Sequence, residues 1–128
     1  MLASRSILRL VTTHSARFAS TIPVNEIASV LKLNVGDETT AVTLDERMKT
    51  MTTMMEAHDG FSHATRYVCK AEWAYELSFV FDGPDSFGAW QEGSELKESV
   101  HAYYLEALEE CGIDEEDVYG GARVHDKW

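Results

Sequence analysis

The chain has 128 residues, of which 45% are hydrophobic and 26% are charged, and its formal net charge is −11 at pH 7. This length fits one globular domain that can bury a core. A polyanion repels nucleic acid and anionic lipid, so the charge argues against both as partners. No apolar run approaches the roughly 20 residues that cross a bilayer, and we therefore predict no membrane insertion.

The N-terminal segment, residues 1–18, has the composition of an organelle transit peptide, because it is basic, rich in hydroxyl residues and free of acids. Its basic residues are Arg5, Arg9 and Arg17. We predict import into the mitochondrial matrix, with a plastid or a basic tail on a cytosolic protein as the alternatives. Loss of the three arginines makes the net charge three units more negative. Residues 19–29 are predicted to be a linker, and residues 30–125 the folded domain.

The first predicted elements are a strand and a helix. Alternation of apolar residues predicts a strand over Ile27–Val35, and Thr43 followed by Glu46 forms a capping box that predicts a helix start. The helix then carries an apolar face of Leu44, Met48, Met51 and Met55. Such a face is either part of the core or an adaptable ligand surface. Gly60 is predicted to end this helix segment as a left-handed residue.

Two strands are predicted next, because side chains alternate with a period of two. In the first, one side is predicted to hold Phe61, His63, Thr65, Tyr67 and Cys69. In the second, one side is predicted to hold Trp73, Tyr75, Leu77, Phe79 and Phe81. The second strand therefore buries an aromatic face. Cys69 and Cys111 are in no metal-spaced pair, and both are predicted to be buried and unpaired.

A helix interrupted by a glycine and a last strand complete the chain. Pro84 suits the first turn of a helix, Gly93 interrupts it, and Ser94 can cap a second helical run that Gly112 ends. A strand is predicted over Val118–Val124, where two adjacent glycines suggest a bulge or a close backbone approach.

This order of elements, strand, helix, strand, strand, broken helix and strand, predicts a ferredoxin-like α+β fold of βαββαβ type with an antiparallel sheet. Helices cover one face of such a sheet and leave the other face open. Packing two sheets face to face would bury that open face. We therefore predict a homodimer with twofold symmetry.

The central segment resembles the antibiotic biosynthesis monooxygenase family of the dimeric α+β-barrel superfamily. The similarity lies in a Gly-Phe pair that opens a strand, an aromatic strand, the S-F-x-A-W sequence ending at Trp90, and a helix begun by Ser94 and containing His101. It covers roughly residues 30–124. The resemblance implies a monooxygenase that acts on a small apolar or aromatic ligand.

The resemblance also implies candidate catalytic residues. Haem-degrading members use an Asn on the first strand, a Trp on the second helix and a His that ligates the haem iron, and this chain has Asn34, Trp90 and His101. Imidazole is a suitable axial ligand for haem iron. Each residue also has a simpler interpretation. Asn34 is out of phase with the core-facing residues, Trp90 is a plausible core anchor, and His101 is equally compatible with an exposed helix position.

Two further functions stay open. One is cofactor-free oxygenation of a quinol or polyphenolic substrate, in a pocket lined by His63, Tyr67, Trp73, Tyr75 and Tyr104. The other is a non-catalytic accessory dimer whose pocket is closed by side chains, because fold alone does not specify function. An open cavity beside Trp90 and His101 would argue against the accessory role.

Overall fold

A computed structural model describes residues 21–128, and the predicted transit peptide lies outside them. The elements are β1 (Glu26–Asn34), α1 (Glu38–Met55), β2 (Phe61–Cys69), β3 (Ala74–Phe81), α2 (Pro84–Glu92), α3 (Glu95–Glu110), a 3₁₀ turn (Glu115–Asp117) and β4 (Tyr119–His125). The strands form one antiparallel sheet in the order β2-β3-β1-β4. The predicted ferredoxin-like α+β fold is confirmed. Because β1 begins at Glu26, the last four residues of the predicted linker belong to the sheet.

One face of the sheet packs against all three helices. The strand residues of this face form a single core cluster with the apolar faces of the helices, and its most deeply buried members include Leu44, Phe81 and Ala107. We call the opposite side the reverse face. It holds a separate small cluster of Ala28, Val30 and Val80, each buried. No helix among residues 21–128 contributes to that second cluster.

A β-bulge at the start of β2 changes which residues share a face. Phe61 pairs with Phe81, whereas His63 pairs with Val80, so two steps along β2 match one step along β3. Phe61 therefore packs in the core, 6.0 Å between ring centroids from Phe81, while His63 lies on the reverse face. The prediction that Phe61 and His63 share a face was wrong.

The start of α1 also differs from the prediction. The helix begins at Glu38, and Asp37 is the N-cap, with its Oδ1 accepting a hydrogen bond from the Thr40 backbone N at 2.8 Å. This bond lowers the pKa of Asp37 below its ordinary value. Thr43 lies inside the helix and donates its hydroxyl proton to the Thr39 carbonyl. The predicted capping box is therefore wrong, because an earlier residue caps the helix.

The predicted starts of α2 and α3 are confirmed, but α1 ends at Met55 and not at Gly60. Pro84 opens α2, and Ser94 caps α3 by accepting a hydrogen bond from the Lys97 backbone N at 3.1 Å. Gly60 has a φ of 92°, and a Cβ there would lie 2.2 Å from Cβ of Ser86. Only glycine fits at this position, which lies between α1 and β2 and directly against Ser86 of α2.

Two local predictions are corrected, and the bulge, one of the two predicted alternatives for the glycines of β4, is excluded. Trp73 precedes β3 and occupies a turn with a φ of 55°, with its carbonyl accepting a hydrogen bond from the Val35 backbone N. The two glycines of β4 pair with β1 in unbroken register, so there is no bulge there. A Cβ at Gly121 would instead meet the Tyr119 hydroxyl at 2.6 Å. Cys69, predicted to be buried, is exposed.

Candidate functional site

A cavity of about 210 Å³ lies between the helix-covered face of the sheet and the helices. We call it the aromatic pocket. Its walls are mostly apolar, with few polar groups, which is the usual character of a small-molecule site. It is lined by Ser29, Leu31, Met51, Met55, Phe79, Phe81, Trp90, Lys97, Val100, His101 and Tyr104. The structure therefore brings the predicted Trp90, His101 and Tyr104 together at one cavity.

Trp90 forms one wall of the aromatic pocket, and the ring of His58 packs against it. The two rings meet edge to face with their centroids 5.1 Å apart. The Nε2 atom of His58 lies 2.8 Å from the Ser86 carbonyl oxygen, so a proton on Nε2 is donated to that carbonyl. This bond fixes the orientation of the imidazole, and the imidazole fixes the indole. His58 is therefore a positioning residue for Trp90.

Helix α3 supplies the polar wall of the pocket. Lys97, His101 and Tyr104 are spaced by four and three residues, which places them on one side of a helix. The Lys97 Nζ donates a hydrogen bond to the Gln91 carbonyl at 3.2 Å. The rings of His101 and Tyr104 are 6.1 Å apart between centroids. His101 is exposed, whereas Lys97 and Tyr104 are half-buried, so the imidazole lies at the solvent side of the pocket.

The electrostatics of this wall favour a bound anion. Of the described residues that line the pocket, Lys97 is the one with a permanent charge. Burial, with a smaller contribution from Glu115, raises the pKa of Tyr104 to about 12. Tyr104 is therefore a neutral phenol at physiological pH, able to donate a hydrogen bond.

Asn34 is not part of the aromatic pocket. It is the last residue of β1, about 10 Å along the strand from Leu31 and on the reverse face. Its Nδ2 donates to the Glu72 carbonyl at 2.8 Å, and its Oδ1 accepts from the Gly36 backbone N at 2.8 Å. These two bonds tie the turn before β3 to the loop before α1. The structure gives Asn34 a local structural role.

Three predicted pocket residues lie elsewhere. His63 is exposed on the reverse face, where its Nδ1 is 2.9 Å from the Ser62 hydroxyl. Tyr67 is on the same face, and 64% of its surface is exposed. Trp73 packs against the edge of the core from its turn. None of the three lines the aromatic pocket.

Tyr75 lines a different cavity, between α1 and β2. Its side chain is buried, and its hydroxyl donates a hydrogen bond to Oδ1 of Asp45 at 2.5 Å. Burial and this bond raise its pKa well above the ordinary value for tyrosine.

Comparison with solved structures identifies the fold. A protein from Caulobacter crescentus assigned to the antibiotic biosynthesis monooxygenases superposes with a TM-score of 0.57 at 12% identity, over 91% of this chain and 99% of that one. The chain has the antibiotic biosynthesis monooxygenase fold. A variant of SnoaB, a cofactor-independent oxygenase from Streptomyces nogalater, gives a TM-score of 0.59 at 11% identity, over 81% of this chain and 96% of that one.

A third structure with this monooxygenase fold is Rv0793 from Mycobacterium tuberculosis, with a TM-score of 0.52 at 14% identity, over 80% of this chain and 97% of that one. No protein-family model and no curated protein matches the sequence of this chain. The predicted resemblance is thus confirmed at the level of fold.

Sequence reasoning missed two residues of the site: Lys97, which lines the aromatic pocket, and His58, which packs against Trp90. Lys97 is four residues before His101, so the spacing on α3 contained the signal that the two share a side. His58 gave no such signal, because it lies after the end of α1 and reaches Trp90 only through the packing of α2.

Proposed function

We propose that this protein oxygenates a small phenol without a cofactor. The observation that carries the proposal is the pairing of a cation, Lys97, with an imidazole, His101, on one wall of an otherwise apolar cavity. An electron-rich phenolate reacts with dioxygen far more readily than the neutral phenol does. A site that forms and holds this anion therefore supplies the catalysis. SnoaB, which shares the fold, is a cofactor-independent oxygenase.

The reaction balances with the substrate as its own reductant. His101 accepts the phenolic proton, and the Lys97 ammonium stabilises the phenolate. The phenolate gives electrons to dioxygen, and a C–O bond forms at the ring carbon para to the phenolate oxygen. The imidazolium of His101 returns its proton to the peroxide that this step forms. The O–O bond and the C–H bond at the para carbon then break with loss of water, which leaves a quinone, so one oxygen atom enters the product and the other is reduced to water. Tyr104, a neutral donor, can hydrogen-bond the developing oxyanion.

The volume of the pocket limits the substrate. An apolar cavity of about 150 Å³ holds one benzene ring, so 210 Å³ suits one ring or two fused rings. Trp90, Phe79 and Phe81 provide aromatic walls for stacking such a ring. The substrate class is therefore a mono- or bicyclic phenol with an open para position.

Haem does not fit this geometry. The cavity is below the range of about 300–1,000 Å³ that encloses drug-sized ligands, and a haem is larger than those. Asn34, the third member of the haem-type triad, is bonded to the turn before β3. The haem alternative is tested by titrating the protein with haemin beside a His101→Ala variant. A saturable spectrum that the variant loses would restore it.

The function is tested by oxygen uptake with 1,5-dihydroxynaphthalene, which yields a coloured hydroxyquinone. Ser29→Leu places bulk in the aromatic pocket, and turnover above the spontaneous rate is expected to disappear. Ser99→Leu is the matched control, because Ser99 is exposed on α3 and does not line the aromatic pocket. Equal turnover by both variants would refute a reaction in this pocket.

We also propose that two copies pair through the reverse face. Tyr67 and Tyr119 are exposed there, at 64% and 48% of their surface, and large exposed aromatic residues favour an interface.

Within residues 21–128 no helix is long and apolar enough to cross a membrane.

The transit peptide and mitochondrial matrix location stay proposals that rest on the composition of residues 1–18. They are tested by sequencing the N-terminus of the endogenous protein. An intact Met1 would contradict cleavage.

A further inference from the structure

A second cavity, of about 460 Å³, opens between α1 and the edge strand β2. We call it the Asp45 groove. Its floor is apolar and its rim is polar. It is lined by Asp45, Met48, Lys49, Thr52, Ala64, Arg66, Tyr75 and Leu77. None of these residues lines the aromatic pocket, which lies over β1 and β3, so the two cavities are separate sites.

The Asp45 carboxylate accepts three hydrogen bonds from its own neighbours. Arg66 donates two hydrogen bonds to it, from Nε to Oδ1 at 3.1 Å and from Nη2 to Oδ2 at 2.8 Å. Tyr75 donates a third to Oδ1. This fork is the strong bidentate geometry of an arginine and a carboxylate. Asp45 therefore fixes the position of the guanidinium and neutralises one of the two cations of the groove.

Donors are left over in the groove. The guanidinium has five N–H bonds, and two of them point to Asp45, so Arg66 retains three. Lys49 adds an ammonium, for which no described carboxylate is an ion-pair partner. The groove thus carries a net positive charge on a protein whose net charge is −11. A local cation excess attracts anions to this place on the surface.

The apolar floor of the groove favours a ligand that has an apolar group. Met48 and Leu77 are buried core residues, and Ala64, which is half-buried, leaves space beside them. Methionine adapts to ligands of different outline. The volume lies inside the range of about 300–1,000 Å³ typical of small-molecule sites.

We propose that the Asp45 groove is a second ligand site, for a small aromatic carboxylate. The ring lies on the floor of Met48, Ala64 and Leu77, and the carboxylate meets the remaining donors of Arg66 and Lys49. The site is independent of the oxygenation proposed for the aromatic pocket, and its test needs no turnover.

The experiment titrates the isotopically labelled protein with 4-phenylbutyrate and with its uncharged analogue 4-phenylbutanol, and follows backbone and arginine side-chain NMR signals. Saturable shifts are expected at Lys49, Thr52 and Arg66 with the carboxylate, and much weaker binding with the alcohol. Ala64→Phe fills the groove and is expected to abolish the shifts. Val42→Phe is the matched control, because Val42 is exposed on α1 and lines neither cavity.

Lys49→Gln tests the charge at an exposed helix position, where no described carboxylate is an ion-pair partner. Carboxylate binding is expected to weaken about two- to fivefold, as for other exposed ion pairs, with no change for the alcohol. Shifts confined to the aromatic pocket would overturn the proposal. So would equal affinity for the two probes, or binding that survives Ala64→Phe in a folded variant.

Discussion

Replacing Lys97 by methionine tests the electrostatic half of the catalytic proposal. Methionine keeps an unbranched stem against the pocket but removes the ammonium. A charge about 4 Å from an anion contributes about 4 kcal/mol at the effective dielectric constant near 20 that suits partly buried sites. Loss of one donor to an oxyanion costs about 2.7–4 kcal/mol in enzymes. We expect kcat/KM for 1,5-dihydroxynaphthalene to fall about 100-fold or more.

The stability effect of Lys97→Met is expected to be small. The variant loses one hydrogen bond, from Lys97 Nζ to the Gln91 carbonyl, which costs about 1 kcal/mol. Thermal unfolding measures this loss separately from oxygen uptake.

Lys97→Arg keeps the charge and is expected to recover most of the activity. Lys70→Met removes an exposed lysine that does not line the aromatic pocket and is expected to leave turnover unchanged. A Lys97→Met enzyme whose kcat/KM is within about threefold of the parent value would contradict a role of the ammonium in catalysis.

Three further results are expected. Asn34→Ala removes the bonds to Glu72 and Gly36, so unfolding in urea should show a loss of about 1–2 kcal/mol with unchanged turnover; a loss of turnover without loss of stability would instead make Asn34 catalytic. Because burial raises the pKa of Tyr104 to about 12, from about 10 in an unfolded chain, the stability it contributes is present below pH 10 and is lost as the pH rises through 12. Tyr104→Phe should therefore flatten the alkaline fall in melting temperature, and a parallel fall in both proteins would contradict this. Light scattering of residues 19–128 should give a dimer mass, and a monomer at high micromolar concentration would contradict pairing through the reverse face.

The periodicity of the sequence predicted the fold because each element shows its own period. The alternation from Tyr75 to Phe81 and the spacing from Leu44 to Met55 both come from burial on one face. These signals depend only on residues close in sequence, so reading them requires no knowledge of the partner elements. The order of the elements then limited the topology to a ferredoxin-like sheet.

The details that were wrong depend on interactions between elements or on competition within one. The bulge at Phe61 exists only because β3 pairs with β2 in that register. Asp37 and Thr43 both have side chains that can cap a helix. Asp37 is the cap because the residues from Glu38 onward are helical, which leaves Thr43 inside the helix. The left-handed backbone of Trp73 is similarly set by its turn and its bond to Val35.

The candidate site was predicted in part for the same reasons. Trp90, His101 and Tyr104 lie on two consecutive helices, and their convergence follows from the resemblance to a known fold. The contribution of Lys97 follows from helical spacing, but that of His58 requires the packing of α2 onto the end of α1. Aromatic residues on strands, such as Tyr67, face the pocket or the reverse face according to pairing that the sequence alone does not contain.

The most direct test of the account is the fate of labelled dioxygen in a reaction of the protein with 1,5-dihydroxynaphthalene and no added cofactor. Cofactor-free oxygenation in the aromatic pocket predicts a hydroxyquinone that carries one labelled oxygen atom, a rate that Ser29→Leu abolishes, and no acceleration by added haemin. A quinone without label, or turnover that begins only when haemin is added, would contradict it.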